Sequence, residues 1–278
     1  MFNPYNTKHA VIKKIFIETD LVKRFLVEFK FKKDCKNFEF IPGQIIELSL
    51  PGYNEAPFAI CSSALKTDSF EITIRKIGKL TEAVHNLKPG DIFGIRGPYG
   101  NGFPIDVIKS RNLLIIAGGI GLIPFRSLLM TIVDDQKKYS KNIQVFYGAK
   151  SEREILFKSD YKYWKKKFDF HITIDEGRRK KIAGDIICDI GLITELFQKV
   201  DIDPDSIAVI CGPPVMCQFV INKLKELNFK DEEIYLSLER KMECAVGVCE
   251  HCAIGSKFVC KDGPIFQWSE LKNIKGAV

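Results

Sequence analysis

The sequence predicts a β-barrel followed by an α/β domain, with a small cysteine-rich lobe behind them. Three observations carry that expectation. Short strand-like runs separated by Pro-Gly turns fill the first hundred residues, and apolar strands alternate with helical stretches from about 110 to 235. Four cysteines then crowd between residues 244 and 260. A chain of 278 residues has room for two cores and an appendage.

In the first part, AVIKKIFIET, RFLVEFKF, QIIELSL and FEITIRKI are rich in β-branched and aromatic residues, several with period-two alternation. Pro42-Gly43, Pro51-Gly52 and Pro89-Gly90 punctuate them as turns. Closing an antiparallel sheet into a barrel protects many short edges. Near Ser110 the pattern changes. NLLIIAGG, IQVFYGA, DFHITID, SIAVICGPP and EEIYLSL read as strands. Helices are expected after the first of these through Val133, over 152–164, over 191–200 and over 215–227. Strands joined by such crossovers fit a parallel sheet covered by helices. The expected divisions are 1–108, 109–235 and 236–278.

Apolar residues at 46% and charged residues at 28% fit a soluble globular chain. The formal net charge is +7, yet the lysines are scattered among acids rather than gathered in one tract. That argues against nucleic acid and leaves anionic cofactors or an acidic redox protein as partners. The start, MFNPYNTKHA, lacks the organisation of a secretory signal. The run Leu113–Val133 is apolar and about long enough to cross a bilayer. It contains Arg126 and a Gly-Gly-Ile-Gly turn, so a buried strand, turn and helix are expected instead of a membrane span. The expected location is cytoplasmic, and nine cysteines without an export signal do not suggest disulfides.

The segment ECAVGVCEHCAIGSKFVCKDGP contains Cys-x4-Cys-x2-Cys-x7-Cys, formed by Cys244, Cys249, Cys252 and Cys260. Four thiolates can complete the coordination of two irons in a [2Fe–2S] cluster. Gly247 offers a turn around inorganic sulfide, and small Ala245 and Ala253 would let amides approach the sulfurs. Tetrahedral zinc is the competing reading, because Cys249-Glu-His-Cys252 also has a zinc-like spacing. His251 reads as a surface residue or a neighbour of the metal rather than a ligand.

Gly118, Gly119 and Gly121 follow a strand and precede a helix, where helix amides can meet a pyrophosphate. A side chain at Gly119 or Gly121 would fill the space a phosphate needs. Pro124 takes the last place of the usual fingerprint, which a helix start tolerates. Cys211-Gly212-Pro213-Pro214-x-Met216 ends another strand and is expected at the same carboxyl edge. A close-packed strand–helix turn is the plainer alternative, and Cys211 alone reads as a core residue. In the barrel, Gly78-Lys79-Leu80-Thr81 either faces a phosphate or is a simple capped turn. EAPFAICSS offers backbone amides to an aromatic cofactor edge. His9, His85 and His171 show no acid–base grouping.

Together IPGQ, NEAPFAICSS, GDIFGIRGPYGNGFP, AGGIGLIPFRSLL, ICGPPVM, and SLERKMECAVGVCEHCAIG with FVCKDGPIF resemble the ferredoxin–NADP reductase superfamily over essentially the whole chain. Within it they are most similar to electron-transfer subunits of the sulfhydrogenase gamma and anaerobic sulfite reductase B type. The electron-transfer subunit of dihydroorotate dehydrogenase is a more distant relative. The resemblance implies an FAD-binding barrel, an NAD(P)H-binding domain and a [2Fe–2S] lobe. It implies that Pro57, Phe58, Ala59, Ile60 and Cys61 line the isoalloxazine, with Arg75 on the adenylate side and Gly78, Leu80 and Thr81 at the pyrophosphate. It puts Gly119 and Gly121 at the nicotinamide nucleotide's phosphates, and Cys211, Gly212 and Pro213 near the nicotinamide. It makes the four clustered cysteines the metal ligands.

This chain has Ala56-Pro57-Phe58-Ala59 where broader members have Arg-x-Tyr-Ser/Thr. A phosphate contact and two hydroxyls are thereby lost, so backbone groups and Thr81 carry more of the flavin binding. The implied activity is electron exchange between NAD(P)H, flavin and cluster, and onward to or from the catalytic and iron–sulfur subunits of a hydrogenase or sulfite reductase type complex. No side chain is expected to act as a nucleophile or base. Lys150, Ser151 and Arg153 follow the strand near the expected adenosine ribose, as a 2′-phosphate site or a solvated helix start. Two alternatives stay open: a free-standing NAD(P)H–flavin reductase, and a zinc-stabilised nucleotide-binding adaptor without turnover.

Overall fold

The computed structural model describes residues 3–36, 38–66, 68–139, 142–183 and 186–278. It divides into two compact units. The first comprises Met1–Phe103, Arg126–Thr131 and Glu239–Ile265, and the second Pro104–Phe125, Ile132–Leu238 and Phe266–Val278.

The first unit is built on β1 (Lys8–Thr19), β2 (Val22–Phe29), a short helix α1 (Lys32–Lys36), β3 (Ile45–Ser49) and β4 (Ala56–Ala59). It continues through β5 (Phe70–Arg75), α2 (Lys79–His85) and β6 (Ile92–Tyr99). The six strands form one antiparallel sheet in the order β4-β3-β6-β1-β2-β5. A single antiparallel bridge, Ile60 to Ile72, joins the chain just past β4 to β5. Alternation sends Phe25, Val27, Ile46, Leu48, Phe93 and Ile95 into one core. Phe38 closes it, with ring centroids 4.9 Å from Phe29 and 4.7 Å from Phe70.

The second unit begins with α3 (Ile105–Ser110), β7 (Leu113–Gly118) and α4 (Leu122–Asp134), whose Arg126–Thr131 stretch clusters with the first unit. It continues with β8 (Ile143–Ser151), α5 (Tyr161–Trp164), β9 (Asp169–Glu176), β10 (Lys180–Ala183) and β11 (Ile186–Ile190). Then come α6 (Leu196–Lys199), β12 (Ile207–Cys211), α7 (Pro214–Glu226) and β13 (Ile234–Ser237). The cysteine segment adds a two-stranded ribbon, β14 (Ala253–Ile254) and β15 (Lys257–Phe258), and β16 (Ile265–Gln267) and α8 (Trp268–Leu271) end the chain. The large sheet runs β10-β11-β9-β8-β7-β12-β13-β16. Its six strands from β11 to β13 are mutually parallel, and β10 is antiparallel to β11. All six residues of β7 and all five of β12 are buried, as a sheet covered on both faces requires.

The helix expected over 152–164 is mostly absent. One 3₁₀ turn, Glu152–Glu154, follows β8, and only Tyr161–Trp164 is α-helical. Ile155, Leu156 and Phe157 are consecutive and all buried, which a one-sided helix cannot achieve, and Phe157 has φ 54°. The helix expected over 191–200 shrinks to a 3₁₀ turn, Ile193–Glu195, and α6. Its start is set by Gly191 at φ 132° and the Glu195 carboxylate, which accepts the Leu192 N–H at 3.0 Å. No helix among the described residues is long and apolar enough to cross a membrane.

Candidate redox site

The cysteine segment curls because three residues between Cys244 and Glu250 take left-handed backbone: Ala245 at φ 59°, Gly247 at 72° and Glu250 at 61°. Gly247 is also tight, since a Cβ there would lie 2.8 Å from the Lys261 side chain. The curl turns amides inward. The N–H groups of Val246, Val248 and Cys249 all point at the Cys244 sulfur at 3.4 Å. Gly247 N–H donates to Cys260 Sγ at 3.2 Å, and Cys260 N–H to Cys252 Sγ at 3.5 Å. Cys249 acts on the Cys244 thiol, and both Cys252 and Cys244 act on the Cys260 thiol. Among the described residues no three His, Cys, Asp or Glu gather as ligands for a single ion.

Burial resists ionisation of Cys244, but the N–H groups aimed at its sulfur outweigh it and bring the thiol down to about 6. Burial pushes the Cys260 thiol up, with neighbouring Cys252 adding to the rise. Cys249 is exposed, and beside it Val248 is 70% exposed, whereas Cys252 and Cys260 are buried. The Ala253 amide, expected near a sulfur, instead bonds the Glu250 carbonyl at 3.0 Å, because the two residues close the turn into β14. His251 lies at the surface, its Nδ1 3.7 Å from Glu243.

Both ends of this segment are tied to β6 and the loop after it. Arg96, buried on β6, donates to the carbonyls of Cys244 at 2.7 Å and Glu243 at 2.9 Å. It also holds the Glu55 carboxylate at 2.6 and 2.8 Å. At the far end Asn101 donates through Nδ2 to the carbonyls of Asp262 at 2.9 Å and Ile265 at 2.7 Å, and accepts the Ile265 N–H at 3.2 Å. Gly100, at φ 82°, lies so close that a Cβ would come within 2.5 Å of the Gly263 carbonyl. Sequence reading singled out none of Arg96, Glu55 or Asn101, although a charge inside the strand IFGIRGPY was a visible signal.

Glu47 is a second missed residue. It lies opposite both Pro57 and Arg96 in the sheet register and is fully buried. Neither carboxylate oxygen has a hydrogen-bond partner. Burial pushes its pKa from 4.5 to about 8 against the pull of Arg96, with Glu55 and Cys244 adding to the rise. An acid whose folded pKa is raised favours the fold while protonated, so stability falls as pH climbs from about 4.5 towards 8 and then levels. Glu47→Gln is expected to melt close to wild type at the acid end and increasingly above it up to the alkaline end. Melting curves with a pH-independent gap would contradict this.

The expected flavin segment forms β4 and the turn after it. Phe58 packs against the core, while Pro57 and Ala59 alternate to the other face. The Ile60 and Cys61 amides are already used, by the carbonyls of Gln44 at 3.3 Å and Glu71 at 2.8 Å. The Cys61 thiol is buried, 3.2 Å from Thr73 Oγ1, and burial pushes it up to about 12. Arg126 holds the Cys61 carbonyl at 2.7 Å and Glu71 at 2.6 Å, and Ser127 donates to the Ser62 carbonyl at 2.7 Å. Cys61 therefore shapes the turn from inside. Arg75 ends β5 and is exposed.

At α2, Thr81 Oγ1 accepts the N–H groups of Ile77 and Gly78 at 2.9 Å each and donates to the Gly78 carbonyl. Its hydroxyl serves the cap. Glu82 N–H makes the first i→i−4 bond, leaving the Lys79, Leu80 and Thr81 amides as first-turn donors. A Cβ at Gly78 would meet nothing within 4 Å, so space lies open there. Leu80 packs against the core.

On the large sheet β7 and β12 are neighbours, with Ala117 opposite Cys211, so both glycine turns leave the same carboxyl edge side by side. Gly119 has φ 56° and open space where a Cβ would stand. Gly121 differs from the expectation: a Cβ there would lie 2.2 Å from the Cys211 carbonyl oxygen, so its smallness brings the two turns together. Met216 fills the notch between them, 2.4 Å from a Cβ built on Gly118 and 2.5 Å from one on Gly212. Pro213 caps α7, which follows at Pro214 and leaves the Val215 and Met216 amides at its start.

Three family models match: the oxidoreductase FAD-binding domain over 9–103, the oxidoreductase NAD-binding domain over 115–222, and the iron–sulfur cluster binding domain of dihydroorotate dehydrogenase B over 239–272. "Sulfhydrogenase 2 subunit gamma" of Pyrococcus furiosus is 36% identical, covering 99% of this chain and 100% of the relative. "Probable dihydroorotate dehydrogenase B (NAD(+)), electron transfer subunit" of Methanocaldococcus jannaschii is 34% identical, covering 95% and 91%. Among solved structures, a chain of the NADH-dependent reduced ferredoxin–NADP oxidoreductase matches with TM-score 0.73 at 22% identity, covering 97% and 94%. Ferredoxin–NADP+ reductase from Plasmodium falciparum matches with TM-score 0.66 at 20% identity, covering 86% and 98%. The chain belongs to the electron-transfer subunit family that includes the sulfhydrogenase gamma subunits and the dihydroorotate dehydrogenase B electron transfer subunits. It carries FAD-binding, NAD(P)-binding and iron–sulfur-binding segments and is an oxidoreductase.

Proposed function

We propose that the chain serves a heteromeric complex of hydrogenase or sulfite reductase type, exchanging electrons between NAD(P)H and the complex's catalytic and iron–sulfur subunits. When bound, the flavin and a [2Fe–2S] cluster supply the exchange between the electron pair of a hydride and single electrons. The chain's own residues bind and orient. Cys244, Cys249, Cys252 and Cys260 would hold the cluster. The observation that carries this is the set of amides aimed at the sulfurs, three of them at Cys244. Such donors stabilise thiolate and sulfide charge and tune a cluster's potential.

Pro57–Cys61 would line the FAD, with Arg75 towards its adenylate and Gly78, Leu80 and the free α2 amides at its pyrophosphate. The Ile60–Ile72 bridge supports closure of the first sheet into a barrel around these elements. Gly119 would leave room for the nucleotide's phosphates, with Gly121, Cys211, Gly212 and Pro213 shaping the adjoining turn. The divisions 1–108, 109–235 and 236–278 remain the proposed domain boundaries. Exposed Cys249 and Val248 give the cluster lobe an apolar edge suited to a protein partner, which a free-standing flavin reductase would not need. Anaerobic titration with NADH and NADPH, followed by visible absorption, tests the reading. Bleaching of flavin and cluster bands by nucleotide alone is expected; nucleotide binding without any absorbance change would leave the adaptor.

A further inference from the structure

Arg96 is 3% exposed and spends its donors in an unexpected direction. The acid directly opposite it in the β3–β6 register, Glu47, is buried with both oxygens unpartnered. A buried guanidinium normally satisfies the nearest buried carboxylate, because an unpaired buried charge is costly. Arg96 instead reaches Glu55, in the loop just before β4, and the carbonyls of Glu243 and Cys244. Tyr99 adds its hydroxyl at 3.2 Å from Nη1. Burial opposes the Arg96 charge, but its bonds to Glu55 and Tyr99 more than offset that and keep it protonated. One guanidinium thus joins the segment leading into Pro57–Cys61 to the first residue of the cysteine curl.

We propose that Arg96 is the positioning residue of the redox site, clamping the backbone at Cys244 to the Glu55 end of the expected flavin strand and placing a fixed positive charge beside the first cluster ligand. The proposal rests on the reading of the four cysteines as cluster ligands. Its geometry is specific to one half of the segment. The other half is fastened independently by Asn101, whose side chain bonds Asp262 and Ile265 and whose N–H bonds the Gly263 carbonyl, so loss of Arg96 frees Glu243–Cys249 and leaves Asp262–Ile265 held. The planar fork matters as much as the charge: lysine can carry the charge, but three donors on one nitrogen cannot replace the five bonds that Arg96 spreads over three nitrogens. A positive charge near the cluster favours the reduced form, so its removal lowers the reduction potential.

The test compares wild-type holoprotein with Arg96→Gln, Arg96→Lys and Glu55→Gln by site-resolved amide exchange and by redox titration of the cluster's paramagnetic resonance signal. In Arg96→Gln, exchange at Val246, Val248 and Cys249 is expected to accelerate about tenfold or more, the change that about 1.4 kcal/mol makes, with Asp262–Ile265 unchanged. The cluster potential moves to more negative values. Arg96→Lys recovers most of the potential but not the protection. If Arg96→Gln does not fold, Glu55→Gln, altered from the half-exposed side of the clamp, is expected to loosen the same amides to a smaller degree. Wild-type exchange at those amides in the folded variants would overturn the clamp, and an unmoved potential in Arg96→Gln would overturn the role of its charge. Absence of iron and sulfide from wild type would overturn the ligand reading instead, while exchange in Arg96→Gln still decides the clamp.

Discussion

Replacing Cys249 or Cys252 with alanine is expected to abolish electron delivery from the chain to its partner while some reduction of bound flavin by nucleotide persists. Loss of a neighbour that merely supports a ligand costs about 10–100-fold, so loss of a ligand itself is expected to exceed about a hundredfold. The two positions fail differently. Cys249 is exposed and its removal leaves the buried pair intact, whereas Cys252 is buried and receives the Cys260 amide. Cys252→Ala therefore also weakens the fold of the segment, which has little core of its own and depends on ligation for much of its order. Iron content, partner reduction and flavin reduction are measured in parallel. Variants that both keep iron and partner turnover would show that these sulfurs are not the ligands.

The second large effect is expected at the paired glycine turns. Gly121→Ala puts a methyl group 2.2 Å from the Cys211 carbonyl oxygen, and backbone cannot step aside as a flexible side chain can. Overpacking of this kind costs about 1–3 kcal/mol or more, so thermal stability should fall before any nucleotide is added. Gly119→Leu contrasts with it. The left-handed backbone there charges an L residue about 1–2 kcal/mol, but the space beyond is open. Its main loss should appear in nucleotide affinity, by about tenfold or more, the equivalent of about 1.4 kcal/mol. Calorimetric binding of NADH and thermal melting separate the two. Undiminished affinity in Gly119→Leu would remove the phosphates from that turn.

Much of this was readable from residue types and spacing. Period-two alternation marked β1, β2, β3 and β5, and the all-apolar runs of β7 and β12 marked the covered sheet because nothing else buries both faces. The two glycine turns do leave adjacent strands at one edge of the sheet, as their motifs implied. What was hidden depends on partners distant in the chain. Arg96 meets Cys244 across 148 residues, and Asn101 meets Ile265 across 164, so the charge inside β6 was visible but its partner was not. Gly121 looked like a phosphate residue from its motif, but its neighbour is the Cys211 backbone, known only once β7 and β12 are adjacent. The pairing of β10 with β11 was missed because β10 is only four residues long and begins with two lysines. The over-long helix at 152–164 came from composition without a face: three consecutive buried residues require an irregular chain.

The central claim is that the four terminal thiols cage iron and sulfide. The most direct measurement is metal and acid-labile sulfide analysis of the chain purified anaerobically in its native complex. Iron and sulfide in equal amounts, with flavin released on denaturation, is the expected result. Stoichiometric zinc without sulfide or flavin would contradict it.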